Sequence, residues 1–342
     1  MDEIWASIFF DSHMHARAEQ LLKKIMQYTA RHCCGGVIMP NRKKTRPVIN
    51  GIDVNLYRSE IRRAVGREFP WFEPFMVVQI TETTTLKDLQ SAFLAGARAA
   101  KIFPKSVSNS EFGIFYYTKL RKLLAYMEKV GMHLLLHGEN PRAIIDTMDA
   151  ERKFFPILRW IVRNFPGLKI TLEHISTEAG IDIVGQLYPQ VAGTITCHHM
   201  TKSMNDLIKQ KVRVHNFCMP VLKYRRDMLA IRKAAVGSHQ AFMSGSDSAP
   251  HMRRAKECAE GCAGVFNAPV QYETLAEVFE EESAFENFEN FTSTRALKRY
   301  GLPIPEKKVK LVRQSWKVEP IYGGVVPFRA GETIRWRIAE VV

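Results

Sequence analysis

The sequence predicts an α/β protein of the (β/α)8 class, a closed barrel of eight parallel strands with a helix after each strand. Short β-type apolar runs alternate with segments whose apolar residues recur at helical spacing, and no long proline- or serine-rich linker interrupts them. A chain of 342 residues can hold such a barrel with insertions. We therefore expect residues 1–342 to form a single barrel domain, with its active site where the carboxyl ends of the strands meet.

Eight apolar runs are the predicted strands. They lie at residues 7–13, 36–40, 74–79, 98–103, 133–137, 169–173, 192–196 and 241–246. Amphipathic segments between them predict helices, notably at 16–32, 116–131 and 155–167. Beyond residue 248 the pattern predicts a long helical region that ends within 298–308, followed by a strand-like tail at 325–336.

Composition and charge are those of an ordinary globular protein. Hydrophobic residues make up 46% of the chain and charged residues 25%. Lysine and arginine number 49 against 35 acidic residues, a formal net charge of +14, but the cations are dispersed and lack interleaved aromatic residues. We therefore expect no nucleic-acid partner. A positive field around a cleft would instead raise the association rate of an anionic substrate.

The compartment is predicted from the first residues and the cysteines. MDEIWASIFF lacks the cationic region of a signal peptide, and no apolar run approaches the roughly 18 residues of a membrane span. We expect a cytoplasmic protein with no membrane partner. The six cysteines are then reduced thiols. Cys258 and Cys262 lack the second pair that a zinc knuckle requires.

Several predicted strands end in a side chain that can bind a metal ion. His13 and His15 lie two positions apart in the first strand, so both point to one face and can reach one ion. Four imidazoles, one amine and one carboxylate form the inventory of a two-metal hydrolytic site if the lysine is modified to carry oxygens. The sequence therefore indicates an enzyme. The six residues are His13, His15, Lys101, His137, His174 and Asp247.

Lys101 is the unusual member of this set. A lysine is ordinarily a solvated surface group, but this one lies between Ala100 and Ile102 in an apolar run. Held in the barrel mouth between two cations, it should lose its proton, and the neutral amine can add CO2 to become a carbamate. Such a carbamate is an anionic ligand with two oxygens and can bridge two metals.

Asp247 lies in the segment GSDSAPH, which is also good turn and helix-capping chemistry. With the other ligands present, it is better placed to bind one metal and to carry a proton to or from the reacting nitrogen. His251, four residues on, would face the substrate. Arg17 and Asn41 are suited to holding a carboxylate, although each alone could be an ordinary surface or loop residue.

A set of motifs spread over nearly the whole chain resembles the dihydroorotases of the amidohydrolase superfamily, specifically the shorter monofunctional bacterial type. The resemblance implies a distorted barrel, two zinc ions bridged by carboxylated Lys101, and a role in pyrimidine biosynthesis. The motifs are HMHAR (13–17), MPN (39–41), AAKIFP (99–104), LLLHGE (134–139), LEHIST (172–177), CMPVLK (218–223), GSDSAPHMRRAKE with GCAGVFNAP (245–269) and VPFRAGETIRW (326–336).

The resemblance also implies a role for each metal ligand. His13, His15 and Asp247 would bind the more buried zinc, and His137 and His174 the other, with a hydroxide as second bridge. The reaction would be the reversible closure of N-carbamoyl-L-aspartate to dihydroorotate with loss of water. In ring opening the hydroxide would attack the amide carbonyl, while Asp247 passes a proton to the leaving nitrogen.

The substrate contacts follow from the same resemblance. Side chains would hold the substrate carboxylate, main-chain groups would address the pyrimidine edge, and two metal-binding histidines would also border the substrate. A homodimer is expected as well. The side chains that would hold the carboxylate are those of Arg17, Asn41 and His251. The main-chain groups belong to Met219 and Ala263, and the two bordering histidines are His15 and His137.

Some positions depart from the family pattern. Ala16 and Ala18 replace a usual leucine and a common acidic residue, which should alter packing at the barrel mouth more than chemistry. In the loop at 105–113, Val107 and Ser108 stand where the family carries two adjacent threonines that close over the substrate. We expect this loop still to close, with weaker stabilisation of the bound state. Cys197, His198 and His199 have no assigned role; they are residues of the seventh strand end.

Three alternatives remain open from the sequence. A hydantoinase-like hydrolase would share the metal ligands, but the carboxylate grip of Arg17, Asn41 and His251 favours a carboxylated substrate. A mononuclear deaminase would need no bridging lysine and would hold about one metal per chain. An inactive homologue serving as a structural subunit should have lost ligands, whereas all six are present.

Overall fold

The computed structural model describes residues 2–42, 47–105 and 112–342. Strand β1, Glu3–Ser7, precedes eight parallel strands that hydrogen-bond in chain order, which confirms the predicted (β/α)8 class. Each of the eight strands overlaps one of the predicted runs. They are β2 (Phe9–Met14), β3 (Cys33–Ile38), β4 (Glu73–Ile80), β5 (Ala99–Ile102), β6 (His133–His137), β7 (Ile170–Glu173), β8 (Val191–Ile195) and β9 (Phe242–Ser244).

Helices cover the outside of this sheet. In the helix Arg121–Val130, for example, Leu123, Leu124 and Met127 form the buried stripe, and Gly131 ends the helix in the left-handed conformation. The helices in the described ranges are α1 (Glu19–Ala30), α2 (Gly51–Val65), α3 (Leu86–Leu94), α4 (Arg121–Val130), α5 (Phe155–Asn164), α6 (Glu178–Leu187), α7 (Cys197–Thr201), α8 (Met204–Ile208), α9 (Arg225–Val236), α10 (Arg253–Lys256), α11 (Gln271–Glu281) and α12 (Arg295–Tyr300). None of them combines the length and apolar character that a membrane span requires.

The barrel closes between β2 and the segment after β9. The Asp247 backbone N–H donates to the His13 carbonyl over 2.8 Å, and the His15 N–H donates to the Ser248 carbonyl over 3.1 Å. On the other side of β2, its pairing with β3 is irregular between Asp11 and Met14, so the barrel is distorted along β2. Three of the predicted metal ligands are therefore brought together by the hydrogen bonds that close the barrel.

Two apolar clusters form most of the core. The larger lies between the strands and the surrounding helices, and the smaller fills the barrel interior with side chains that include Phe10, Val37, Phe75, Leu135 and Met243. A barrel interior packed in this way is not a channel. The inward-facing polar side chains at the carboxyl ends of the strands therefore lie above a filled interior.

The chain after β9 differs from its prediction. The long helical region is broken into α10, α11 and α12. Gly261, Gly264 and Pro269 lie between α10 and α11, and a turn with a positive φ at Ser283 follows α11. Of the predicted strand at 325–336, only Thr333–Ile334 is a strand, since positive φ angles at Arg329 and Gly331 make a turn.

The chain ends pair in a small sheet that the sequence did not predict. Strand β10 (Lys308–Val312) lies antiparallel between β1 and β13 (Arg337–Val341). A second pair joins β11 (Trp316–Lys317) to β12 (Thr333–Ile334). The first sheet ties the amino-terminal segment to the carboxyl-terminal tail beside the barrel.

We predict that Glu273→Gln stabilises the protein above neutral pH. Glu273 is buried in α11, and its Oε2 atom has no hydrogen-bond partner in the described ranges. Burial raises the pKa of this carboxyl from about 4.5 to about 7. The protonated carboxyl is the form that the folded protein favours. The stability it permits is therefore complete below about pH 4.5 and is lost as the pH rises through 7 and the buried group ionises.

The free energy of unfolding of Glu273→Gln should exceed that of the wild type by about 3 kcal/mol at pH 8, and the difference should shrink towards pH 5. Urea unfolding of both proteins at the two pH values measures this. An equal effect of the substitution at both pH values would show that ionisation of Glu273 is not the cause.

Candidate active site

Alternation along β5 and β6 places Lys101 and His137 inside the barrel. Ala99 on β5 belongs to the inner apolar cluster, whereas Ile102 packs outward against the helices. On β6, Leu135 likewise faces inward. Because successive side chains of a strand point to opposite faces, Lys101 shares the face of Ala99 and His137 shares that of Leu135.

On β7 two successive side chains reach the site. Ile170 and Leu172 pack outward, so Glu173 continues the inward face. His174 follows with φ at +42°, a left-handed conformation that few non-glycine residues adopt. This reversal brings the His174 ring to the same cavity, with its centroid 4.6 Å from that of His137.

The irregularity of β2 sets the direction of His13 and His15. Phe10 faces the barrel interior, and strict alternation would then put Met14 inside as well. Met14 instead packs outward with the helices, because the pairing of β2 shifts by one residue between Asp11 and Met14. The shift turns both histidines towards the site.

Asp247 completes the group from the segment after β9. Its φ of +43° is also left-handed. Asp247 Oδ1 lies 3.2 Å from His13 Nε2 and 3.1 Å from His15 Nε2, and the two Nε2 atoms are 3.4 Å apart. Strained backbone at His174 and Asp247 is typical of sites held in place by the surrounding fold.

The predicted ligands thus meet around one cavity of about 60 Å³, lined by His13, His15, His137, His174 and Asp247 among others. Lys101 is fully buried, and its Nζ contacts Glu173 Oε2. The structure therefore brings all six predicted metal-binding residues to one region of the barrel mouth.

These residues fit a divalent metal centre. One ring nitrogen of each of two histidines is hydrogen-bonded to a side-chain oxygen: His15 Nδ1 to Asn41 Oδ1 at 2.7 Å, and His137 Nε2 to Glu139 Oε2 at 2.6 Å. His13 Nδ1 lies 3.0 Å from Glu173 Oε1, an ion-pair contact rather than an aligned hydrogen bond. This arrangement leaves the opposite nitrogen of each ring for a metal, as in proteins that orient their metal-binding histidines through oxygen atoms.

Two groups of three donors among the residues of this cavity and Glu173 are close enough to surround an ion. His13, His15 and Asp247 form one, and His13, Glu173 and His174 form the other, with their ligand atoms within 4.8 Å of one another. The buried Nδ1 of His174 has no hydrogen-bond partner in the described ranges. Nitrogen and carboxylate oxygen donors are the ligands that zinc takes in catalytic sites.

Burial and the neighbouring charges shift the pKa values of His13 and His15 in opposite directions. Burial alone would lower the pKa of His13, but the carboxylates of Glu173 and Asp247 outweigh it and raise that pKa to about 9. Burial lowers the pKa of His15 to about 4. Burial also lowers the pKa of Lys101, against the opposing charge of Glu173. A lowered lysine pKa favours the neutral amine that can react with CO2.

The predicted carboxylate grip lines the approach to the metal-binding residues. Arg17 Nε donates to the Pro250 carbonyl over 3.1 Å, and Arg17 Nη2 lies 3.1 Å from His251 Nε2. Burial and then Arg17 lower the pKa of His251 to about 2, so the ring is neutral and accepts from the guanidinium. A cavity of about 590 Å³ is lined by Arg17, Asn41 and His251, and it shares the first two with the smaller cavity.

Two main-chain contacts and one loop complete the predicted set. Met219 and Ala263 both line the smaller cavity, beside the metal-binding residues. Val107 and Ser108, the residues predicted to close over the substrate, lie outside the described residues.

Comparison with known proteins agrees with this geometry. A dihydroorotase from Parasynechococcus marenigrum (strain WH8102) is 38% identical over 332 residues, which is 96% of each chain. The chain belongs to the dihydroorotase family. It is therefore a hydrolase of cyclic amides, in a metal-dependent family of pyrimidine biosynthesis. A scan against protein-family models found no match.

Solved structures extend the comparison. The dihydroorotase of Saccharomyces cerevisiae, solved in complex with 5-fluoroorotic acid, superposes with a TM-score of 0.93 at 27% identity and covers 99% of both chains. An L-hydantoinase from Arthrobacter aurescens superposes with a TM-score of 0.84 at 12% identity, over 99% of this chain and 84% of its own. The second likeness concerns the fold alone, so the barrel by itself does not separate a dihydroorotase from a hydantoinase.

In this dihydroorotase-family chain, the structure assigns a supporting role to Cys197 and His198. Asn267 Nδ2 donates to His198 Nδ1 over 2.9 Å and to the Ser246 carbonyl over 2.7 Å, and Cys197 Sγ donates to Asn267 Oδ1. The network therefore holds the residue directly before Asp247.

His199 supports the other side of the site. Its Nε2 lies 3.0 Å from the Pro220 carbonyl and its Nδ1 lies 2.8 Å from Thr196 Oγ1. Cys218 Sγ donates to the same Pro220 carbonyl over 3.2 Å. These bonds fix the backbone directly after Met219, which lines the metal-binding cavity.

Sequence reasoning missed two carboxylates of the dihydroorotase site. Glu139 and Glu173 each lie beside a metal-binding histidine in a quoted motif, yet neither received a role. Outward-facing Ile170 and Leu172 could have shown that Glu173 faces inward. A Cβ at Gly138 would come within 2.4 Å of Leu172 Cδ1, so a larger residue there would require the Leu172 side chain to shift.

Proposed function

We propose that this chain interconverts N-carbamoyl-L-aspartate and dihydroorotate at a site that holds two zinc ions. The observation that carries the proposal is the convergence of four histidines and Asp247 on one cavity, directly beside the Arg17–His251 pair. The first group supplies metal-binding atoms, and the second supplies a cation for a substrate carboxylate. The small cavity suits the reacting amide, and the larger one suits the remainder of the substrate.

The first ligand assignment follows the donor group of His13, His15 and Asp247, whereas the second follows the family resemblance and the closeness of the His137 and His174 rings, whose centroids lie 4.6 Å apart. His13, His15 and Asp247 would hold one zinc, and His137 and His174 the other, with carboxylated Lys101 between them. When bound, the two ions supply an activated water for attack and polarise the amide carbonyl.

Asp247 is the proposed general acid and base. The hydrogen-bonding His13 and His15 outweigh the effect of burial and hold its pKa well below the usual range, so the group begins as a carboxylate. It can then accept a proton and pass it to the leaving nitrogen during ring opening. In ring closure Asp247 takes a proton from the attacking nitrogen.

The substrate carboxylate would be held by Arg17, Asn41 and His251. An arginine can donate two parallel hydrogen bonds to a carboxylate. Arg17 Nε is directed to Pro250, and its Nη2 to His251, which orients the guanidinium before substrate arrives. A cyclic amide without a carboxylate would leave this cation unpaired.

We predict that Arg17→Gln raises KM for dihydroorotate about 10- to 100-fold, with a much smaller change in kcat, because the grip acts on the bound and reacting substrate alike. Dihydrouracil, which lacks the carboxylate, should be affected little. Steady-state kinetics with both substrates measure the difference. The matched control is Arg121→Gln, which removes the same charge from an exposed arginine on α4. A similar KM rise in that control would mean that overall charge, not the grip, attracts the substrate.

Zinc stoichiometry tests the binuclear proposal. We expect dihydroorotate turnover of metal-free protein to rise with added zinc and to reach its plateau at two ions per chain. His13, His15 and Asp247 form one donor group, and His137 and His174, the proposed donors of the second ion, line the same cavity. Calorimetric titration beside the activity assay would give the count. A plateau at one ion per chain would contradict the proposal and favour a mononuclear site.

The carboxylate grip also weighs against the hydantoinase-like alternative, because that reaction would not use it. An inactive structural subunit is disfavoured by the presence of all six ligands. The homodimer, the single-domain organisation and the cytoplasmic location stay predictions.

A further inference from the structure

Glu173 contacts two proposed metal-binding residues at once. Its Oε2 contacts Lys101 Nζ, and its Oε1 lies 3.0 Å from His13 Nδ1. Glu173 and His13 are each 1% exposed, and Lys101 is 0% exposed. One carboxylate therefore uses both oxygens, away from water, on residues that come from different strands.

Charge neutralisation alone is the simplest explanation of this contact. A buried lysine needs a partner, since an unpaired buried charge costs several kcal/mol. That explanation accounts for one oxygen of Glu173 but not for the second oxygen on His13. Charge neutralisation also gives no reason for the location of Glu173, which lies on the face of β7 that points into the site, one residue before His174.

We propose that Glu173 is a positioning residue that orients the carbamate of Lys101 and the ring of His13 together. The inference rests on the proposed function, which includes the carbamate. One Glu173 oxygen accepts the N–H of the carbamate nitrogen, and the other stays beside His13 Nδ1. His13 Nε2 is thereby directed to Asp247, 3.2 Å away.

The chemistry of carbamate formation leaves Glu173 a partner. The lone pair of the neutral Lys101 amine forms the new N–C bond to CO2, and one C=O electron pair moves to oxygen. The nitrogen then loses one proton to water and keeps one N–H. Because the carbamate is planar, a hydrogen bond from that N–H to Glu173 turns the two carbamate oxygens away from Glu173.

The test is Glu173→Gln, with the carbamate observed directly. A glutamine has one acceptor oxygen and no charge, so it cannot serve both partners. Zinc-loaded proteins equilibrated with 13C-bicarbonate are compared by 13C NMR of the carbamate carbon and by zinc content. CO2-stripped proteins are then titrated with bicarbonate until activity returns.

We expect Glu173→Gln to need about tenfold more bicarbonate than the wild type for half-maximal reactivation, and to show a weaker carbamate signal at low bicarbonate. Excess bicarbonate should restore the signal, which it would not do for a misfolded chain. The control is Glu273→Gln, the same change at a buried carboxyl remote from the site, which should behave as the wild type. Should the glutamine variant fail to fold, Glu173→Asp keeps the charge but shortens the reach, and the same shift is expected.

The other outcomes separate this inference from the proposed function. Equal carbamate signals and equal bicarbonate dependence in wild type and Glu173→Gln would overturn the role of Glu173 and leave the proposed function intact. Equal losses in Glu173→Gln and Glu273→Gln would also overturn it, since the effect would then not depend on the position of Glu173 beside Lys101 and His13. An active, zinc-loaded wild type without any carbamate signal would overturn the carboxylated lysine, and the role of Glu173 with it.

Discussion

Lys101→Ala is expected to lower kcat/KM for dihydroorotate at least about 1000-fold, or about 4 kcal/mol of transition-state stabilisation. The substitution removes the only amine among the six proposed metal-binding residues, and with it the proposed bridge. The alanine itself fits the strand, since Ala99 and Ala100 already precede it. The loss should therefore be chemical rather than a failure to fold.

The measurement is steady-state hydrolysis at matched zinc content, so that a simple loss of metal is separated from loss of the bridge. Lys223→Ala is the matched control. Lys223 is also buried, but its Nζ donates to the Thr147 carbonyl and does not contact the proposed ligands. Stability should fall in both variants, whereas the large loss of activity should be confined to Lys101→Ala. A fully zinc-loaded Lys101→Ala that retained more than a tenth of wild-type kcat/KM would contradict the bridging role.

Asp247→Asn should lower kcat about 1000-fold, because an amide cannot carry the proton between solvent and the reacting nitrogen. Asparagine tolerates the left-handed conformation that Asp247 adopts at φ of +43°, so the backbone strain does not increase. Its side-chain oxygen can still approach His13 and His15. The binding of substrate should thus change far less than its turnover.

Zinc content, KM and kcat of Asp247→Asn should be measured together. We expect KM within about threefold of the wild type if binding energy is used equally in the bound and reacting states. A kcat close to the wild-type value at full zinc occupancy would remove Asp247 from proton transfer. Full occupancy is required, because Asp247 is also a proposed ligand.

The barrel was predictable because its signal is local. The predicted run 133–137 coincides with the strand His133–His137, and 74–79 lies within Glu73–Ile80. Strand period and helix period are both properties of neighbouring residues. The sheet that joins β1, β10 and β13 was missed because its strands come from distant parts of the chain. Glu3 of β1 pairs with Val312 of β10, and β10 also pairs with β13.

The site was likewise predictable only in part. Ligand types at strand ends were readable because a barrel brings those ends together. The directions of individual side chains were not all readable. His13 points inward because the pairing of β2 is irregular after Asp11, and His174 points inward because its backbone is left-handed. Neither feature can be predicted from the residue types.

Glu173 illustrates what was readable but overlooked. Its inward direction follows from Ile170 and Leu172, which alternate on the opposite face. Its partners could not be read, since Lys101 and His13 come from strands that are distant in sequence. The contact depends on the curvature of the barrel.

The most direct test of the central claim is the turnover of dihydroorotate by the zinc-loaded wild-type protein, followed by ultraviolet absorbance beside hydantoin and dihydrouracil at equal concentrations. We predict hydrolysis of dihydroorotate, formation of dihydroorotate from N-carbamoyl-L-aspartate in the reverse direction, and little turnover of the two amides that lack a carboxylate. A zinc-loaded protein that left dihydroorotate intact, or that preferred hydantoin, would contradict the account.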